Sequence, residues 1–444
     1  MMTRDDIEGI LKKAISFSEG DQTEVVLYGG TSYLTGFANN YIHRNVGENN
    51  YSLSVRVAFG KKIGSASVNN FSEGALKDVV KRANEIAKLQ KENPNFISFA
   101  KPEEAPEKDF FVEKTSRVTP DMRAAYVKKI LDKSKEKGFN ANGTFVIDLM
   151  QIGVLNSLGV SRFSSLSVAS LKSVILGDTS SGYSFEVSTD VDDISVESII
   201  EESIGITEMG RNPVAVEPGK YEVVLSPYSL AEFINSLKYL SLNARAVEEG
   251  TSFLTGNFGK KILGDNITMY DNGLSTETIP MPFDFEGVPK KKVVFFENGV
   301  AKDVVYDTIT AYKNGKESTG HSLPQPSVDS PYPMNVIMAG GDLSKDEIIS
   351  HVEHGLYIHR FWYTNPMDPR RAVITGMTRD GLFLIENGRI TKPVKNMRFT
   401  ESIIAALNNC IELSKEKKII YDSSSTTVPY ARIKDFTFTS ITEF

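Results

Sequence analysis

Two periodicities share this chain. Residues 7–17 read as a helix, whereas residues 23–28 and 51–58 alternate and are rich in β-branched side chains, which predicts strands. Gly60-Lys61-Lys62 turns into a further strand at residues 63–68. Ser72 then opens a helix whose Leu76, Val79, Val80, Ala83, Ile86 and Ala87 fall at the three-and-four spacing of one buried face. Residues 93–109 hold Pro94, Pro102 and Pro106 among charges and predict an exposed connector ending at Asp109. Thr119-Pro120 supplies a cap and a first-turn proline for the next helix, which turns Met122, Tyr126 and Ile130 inward and ends at Gly138. Residues 143–188 run strand after strand with few charges, as in an antiparallel sheet, and residues 193–209 predict another helix.

Pro213 and Pro218 punctuate residues 211–219, and the domain division is placed there. Residues 1–212 form an N-terminal domain of α/β type, and residues 213–444 a C-terminal β-rich domain. In the latter, residues 221–225 predict a strand and 227–240 a helix with Leu230, Phe233, Ile234 and Leu237 inward. Asn298-Gly299 sits between apolar runs at 293–296 and Val304-Val305, and Asn387-Gly388 between 382–385 and Ile390. Asn-Gly suits a type I′ turn, in which both central residues take positive φ. The fold class is therefore α+β, with an α/β or α+β first domain and a second of mainly antiparallel sheet with a few helices.

Composition narrows the function classes. The 50 Lys and Arg against 57 Asp and Glu leave a net charge of −7. That argues against a sequence-independent grip on nucleic acid, which needs a large positive footprint. One Cys excludes an intramolecular disulfide and a cysteine zinc cluster. There are five His, and none lies between His43 and His321. No segment reaches the ~18 consecutive apolar residues of a bilayer span. The acidic start, Met1-Met2-Thr3-Arg4-Asp5-Asp6, carries no apolar signal core. A cytoplasmic protein without membrane contact is expected.

The densest candidate chemistry is His351, Glu353, His354 and His359, which could supply metal ligands. A capping role competes with it. Ser344 and Glu347 make a capping box, Ile348, Ile349 and Val352 an apolar face, and Gly355 a stop, so His351 and His354 fall in the last turn of a helix. The spacing is not that of a His-Glu-x-x-His protease helix. Asp284 and Glu286 are paired carboxylates that could do acid–base work, or could flank a turn at Gly287 and hold backbone or Arg groups, the favoured reading. Ser318-Thr319-Gly320-His321-Ser322 lacks the Gly-x-Ser-x-Gly elbow of a hydrolase. Arg370-Arg371 could bind a carboxylate or form a solvated turn. Cys410 is placed with Ile403, Leu407 and Ile411 on one helix face, as core.

The order of several motifs resembles one family. They are Pro218-Gly219-Lys220-Tyr221-Glu222-Val223-Val224-Leu225, then Glu249-Gly250-Thr251-Ser252-Phe253-Leu254-Thr255-Gly256, Asp284-Phe285-Glu286-Gly287-Val288-Pro289, Ser318-Thr319-Gly320, Gly381-Leu382-Phe383-Leu384-Ile385-Glu386-Asn387-Gly388 and Pro393-Val394-Lys395. Together they resemble the TldD/PmbA family, also labelled modulators of DNA gyrase. The resemblance implies a cytoplasmic peptidase system linked to peptide maturation. In it a TldD-type chain carries a His-Glu-x-x-x-His zinc helix and a Cys ligand near the C-terminus, and a PmbA-type (TldE) chain lacks both and pairs with the first. Here the stretch corresponding to the zinc helix, residues 235–243, holds no His or Cys, and neither do residues 421–425.

The resemblance therefore implies a non-metal subunit that assists proteolysis of small or unfolded peptides. It implies no catalytic residue and no cofactor in this chain, with zinc in the partner subunit. The expected partners are a TldD-like metal-bearing subunit, or a second copy in a homodimer, and peptides. Asp284, Glu286, Thr319 and Arg360 are the candidates for peptide or partner contact. Two alternatives stay open: an independent metal hydrolase using the His351/His354/His359 cluster, and a regulatory protein acting on DNA gyrase.

Overall fold

The structure is a computed structural model that describes residues 1–105, 108 and 110–442; Pro106 and Asp109 of the expected connector lie outside the described residues. Thr3 starts helix α1 (Arg4–Ile15) through a capping box with Asp6. Three strands follow: β1 (Gln22–Ala38), β2 (Tyr41–Phe59) and β3 (Lys62–Val68). Ser72 caps α2 (Glu73–Leu89), a short α3 (Glu113–Ser116) intervenes, and Thr119-Pro120 starts α4 (Pro120–Glu136) as expected. Then come β4 (Asn140–Asn156), β5 (Ser161–Leu176), β6 (Ser181–Ser188) and α5 (Val196–Met209). The six strands make one sheet in the order β3-β2-β1-β4-β5-β6, antiparallel throughout.

The period of two decides what each face does. Val25 and Leu27 of β1 pack with Ile7 of α1 and Val79 of α2, while Ile147 of β4 and Leu171 of β5 pack with Ile130 of α4 and Ile199 of α5. The alternate residues, Val26 of β1, Val154 of β4 and Val168 of β5, point the other way, where Phe283, Val288 and Ile279 of the second region meet them. Both faces are thus covered. The strands run longer than the alternating segments, because Tyr41 to Asn50 of β2 is largely exposed and polar. Beta3 pairs with β2 only between Leu53 and Phe59, so among the described residues the outer half of β2 has an open edge.

The second region opens with β7 (Gly219–Leu225), α6 (Pro227–Leu240) and α7 (Ala244–Glu248). It continues through β8 (Met269–Asp271), β9 (Val293–Glu297), β10 (Val300–Ala301), α8 (Thr308–Lys313), β11 (Asn335–Met338) and α9 (Lys345–Ser350). The chain ends with β12 (His354–Asp368), β13 (Val373–Glu386), β14 (Arg389–Pro393), β15 (Met397–Ser402), α10 (Ile403–Asn408), β16 (Cys410–Asp422) and β17 (Ser424–Ile441). Eleven strands join in one sheet, and β7 pairs with both β12 and β17, so that β7, β12, β13, β15 and β17 close into a ring. Phe361 and Phe399, 4.4 Å apart between centroids, pack beside Phe436, and α6 stacks Phe233 on Phe361 at 5.5 Å.

Several local expectations meet a different outcome. Asn298-Gly299 and Asn387-Gly388 do take positive φ, but the first hairpin closes onto Val300-Ala301 rather than Val304-Val305. Gly355 does not stop a helix: α9 ends at Ser350, and Gly355 lies in β12, where a Cβ would come within 2.5 Å of the Glu222 carbonyl. Cys410 begins β16 instead of continuing α10, although it is buried as expected, and burial pushes its thiol up to about 12.

A buried ion triad joins the two regions. Arg56 of β2 faces Glu24 of β1 at 2.7 Å and reaches across to Glu286 at 3.0 Å, with all three side chains 6% exposed or less. Its guanidinium lies 4.9 Å from the Phe99 ring, and Glu286 also accepts from the Thr308 backbone N–H and hydroxyl at the start of α8. Removing one partner of such a cluster leaves buried charge uncompensated, so Arg56→Met should cost about 3–5 kcal/mol in urea unfolding. Burial pushes the Glu24 carboxyl from 4.5 to about 7, against the pull of Arg56. Between those two values the folded chain holds a proton that the unfolded chain has lost, so Glu24's contribution to stability falls as pH rises through that window. The melting temperature of the wild type relative to Glu24→Gln should therefore drop from pH 5 to pH 7; a difference flat in pH would refute this assignment.

Candidate functional site

Helix α6 continues its inward stripe past the apolar residues. Leu230 and Ile234 are followed four positions on by Lys238, which is fully buried. Its ammonium donates to Ser424 Oγ at 2.7 Å, Thr426 Oγ1 at 3.1 Å and the Ser425 carbonyl at 3.3 Å, and lies 5.5 Å from the Tyr332 ring. One turn earlier, Asn235 Oδ1 accepts from Thr426 Oγ1 at 2.7 Å. The helix stretch 235–243 and the start of β17 therefore meet through a lysine, an asparagine and hydroxyls. Burial pushes the Lys238 amine down to about 7, with Asp271 pulling the other way.

Behind Lys238 lies a second layer of buried charge. Asp271 stands 3.0 Å from His321 Nε2 and accepts from the Asn335 backbone N–H at 2.8 Å. His321 and nearby Lys290 hold the Asp271 carboxyl at about 2 despite its burial. In front of Ser424 and Ser425 the two sheets enclose a cavity of about 240 Å³. Met150, Ile152 and Leu166 of the first sheet face Ile279, Pro282 and Tyr421 across it, and the walls are mostly apolar. Tyr28 and Phe285, edge to face at 5.4 Å, line it as well.

The residues singled out from the sequence sit elsewhere. Asp284 is a turn anchor: Oδ1 accepts from the Glu286 and Val288 backbone N–H groups and Oδ2 from that of Ser322. Burial and the neighbouring Glu286 push its carboxyl up to about 8. Thr319 exchanges hydrogen bonds with the Tyr306 backbone and contacts His321 Nδ1 at 2.9 Å. Arg360 pairs with Asp380 at 2.7 Å and stacks on Tyr183 and Trp362. His351 pairs with Glu412 at the surface, Glu353 and His354 are exposed, and buried His359 donates from Nε2 to the Tyr183 carbonyl at 2.8 Å. Among the described residues, no group of three or more His, Cys, Asp or Glu side chains converges as a metal site needs.

Lys238 and the cavity were missed by the sequence reading. The signal was present: a lysine at the four-residue step of an apolar stripe has to be buried or break the stripe. The resemblance placed metal ligands in these same two stretches, and the side chains found there do not fit zinc. Asn235, Ser424 and Thr426 are weak ligands for it.

The comparisons with known proteins agree with this fold. Residues 218–440 match the PmbA/TldA metallopeptidase C-terminal domain, and residues 23–87 match PmbA/TldA metallopeptidase domain 1. A Methanocaldococcus jannaschii protein is 26% identical over 92% of this chain and 95% of its own length. A metalloprotease PmbA homolog of Haemophilus influenzae is 23% identical over 83% of this chain and 82% of its own. The crystal structure of TldE from Thermococcus kodakarensis superposes with a TM-score of 0.88 at 21% identity, covering 98% of this chain and 99% of that one. A Thermotoga maritima structure described as a proposed modulator of a DNA gyrase gives 0.86 at 16% identity, covering 98% and 100%. The chain thus belongs to the TldD/PmbA family of metallopeptidase-like proteins.

Proposed function

We propose that this chain is the non-metal, TldE-type subunit of a peptide-processing pair, in which a metal-bearing relative supplies the hydrolytic centre. The observation that carries the reading is Lys238. It fills the junction of helix α6 and strand β17 with a buried ammonium held by Ser424, Ser425 and Thr426. A zinc enzyme lowers the pKa of a metal-bound water, and this junction offers no ligand set for that chemistry. The open edge of β2 supports association, since an unpaired strand edge can take up a strand from a partner subunit or an extended peptide. Work in the cytoplasm, on small or unfolded peptides or in peptide maturation, fits a net charge of −7, a lone buried thiol and the lack, among the described residues, of a helix long and apolar enough to cross a membrane.

Two measurements test the reading. Purified alone, the chain should carry far less than one zinc per molecule and cleave no peptide, and addition of a metal-bearing relative should restore cleavage. The double variant His351→Ala, His354→Ala should change neither result. Stoichiometric zinc together with peptidase activity in the isolated chain would falsify the proposal. The second measurement concerns Lys238 itself. Its amine titrates at about 7 in the folded chain and at 10.5 when unfolded. The unfolded state therefore binds the extra proton between these values, and Lys238 favours folding more as pH rises across them. The stability of the wild type relative to Lys238→Met should climb from pH 7 to pH 10, and a flat or falling difference would show that the ammonium is not desolvated as described.

A further inference from the structure

The closed strand ring carries a cationic outer face. Phe361 and Phe399 point into its core, so the period of two turns their neighbours Trp362 and Arg398 outward. Trp362, Met377 and Arg398 stand opposite one another across β12, β13 and β15, and beside them Arg360 stands opposite Arg379. Trp362, the one tryptophan of the chain, is 42% exposed, with the Arg360 and Arg379 guanidiniums 5.0 and 4.9 Å from its ring centroid. Tyr363 follows, exposed and at a φ of 55°, where the ladder slips between Trp362 and Asn365. Among the described residues Asp380 is the one carboxylate within ion-pair distance of the three arginines. Its oxygens already accept from Arg360 Nη1 at 2.7 Å and Ser181 Oγ at 2.6 Å, and Arg379 Nε is 4.0 Å away. Glu232 of α6 accepts from Thr364 Oγ1 at 2.8 Å instead. The Arg379 side chain is 49% exposed, and Arg398 is exposed too.

Like charges directly opposite on neighbouring strands are destabilising. A left-handed tyrosine adds a further cost, of the kind that gathers at functional sites. On a chain of net charge −7, an exposed aromatic ring beside unanswered guanidiniums complements an acidic partner. Trp and Arg are enriched among the residues that dominate protein interfaces, and Met is over-represented in them. A guanidinium held against a ring presents its fork to a carboxylate with little further loss of freedom. Nucleic acid fits this face less well. Three cations on an acidic chain are a small footprint for phosphates, and guanidiniums lie against the ring on which a base would stack. We propose that this face docks an acidic segment of another protein chain, with carboxylates on Arg379 and Arg398 and an apolar side chain against Trp362 and Met377. The proposal goes beyond the subunit reading and does not depend on it.

Because Trp362 is the one tryptophan, its fluorescence in the full chain reads this face directly. Three probes test it at low salt: the end-capped pentapeptide Glu-Glu-Leu-Glu-Glu, its counterpart with every Glu replaced by Gln, and a single-stranded oligothymidylate. The acidic peptide should change the emission saturably, and added salt should weaken its binding. The Gln peptide should bind about fivefold more weakly or worse, having lost its ion pairs. Arg379→Gln and Arg398→Gln should each weaken the acidic peptide by about two- to fivefold, the effect of losing one exposed ion pair, with melting curves confirming that both variants fold. Arg389→Gln, exposed on β14, should leave binding unchanged. No saturable change with the acidic peptide, equal binding of the Glu and Gln peptides, or tighter binding of the oligothymidylate would overturn the assignment.

Discussion

Everything at the candidate site depends on how two sheets are held face to face, and Arg56 carries that junction. It sits on the first sheet opposite Glu24 and reaches a carboxylate of the second region, Glu286, which also holds the first residue of α8. Three buried charges of this kind are not the most stable way to fill the space, since apolar side chains of the same volume often do as well. Their value is directional. Apolar packing such as Val26 and Val154 against Phe283 and Val288 tolerates sliding, whereas a guanidinium held by two carboxylates has one docking geometry. The same two regions supply the cavity walls, Met150 and Ile152 from the first sheet and Ile279 and Pro282 from the second region.

On the far wall the organising charge is Lys238. Water would normally hold an ammonium, and here two hydroxyls and a carbonyl from three consecutive residues of β17 replace it. This ties α6 to β17, while Phe233 on the same helix enters the aromatic core of the closed strand ring. The helix is thus pinned by an apolar contact in its middle and a hydrogen-bonded amine at its end. In a metal-bearing relative the family resemblance assigns the same two stretches to zinc ligation. In this chain Lys238 joins the two stretches through hydrogen bonds to Ser424, Ser425 and Thr426.

Much of the architecture was legible from residues alone, for local reasons. Ser72, Thr119 and Ser344 cap helices because their side-chain oxygens reach free backbone N–H groups, a signal confined to a few positions. The Asn-Gly turns were legible for the same reason. Non-local matters were hidden. The outer half of β2 carries little alternation because much of it faces water, so nothing in the pattern marks it as strand. Gly355 looked like a helix stop because its real constraint, the approach of the Glu222 carbonyl, comes from a strand more than a hundred residues earlier. The site suffered most. The reading of Asp284 and Glu286 as turn and Arg anchors was available from spacing, but Arg56 as the arginine concerned was not. The His351–His359 segment drew attention because its ligand types are close in sequence, yet the turn between α9 and β12 sends His351 to the surface and His359 into the interior.

One hairpin links these observations. The β16–β17 turn runs through Tyr421, Asp422, Ser423 and Ser424, with Ser423 at a φ of 61°, a conformation that costs a non-glycine side chain about 1–2 kcal/mol and persists only where neighbours hold it. On one side of the turn Tyr421 is a wall of the cavity; on the other Ser424 is both a wall and the first acceptor of the Lys238 ammonium. Anything that moves this turn changes the cavity and the lysine contact together. The turn therefore couples the α6–β17 junction to the space between the sheets.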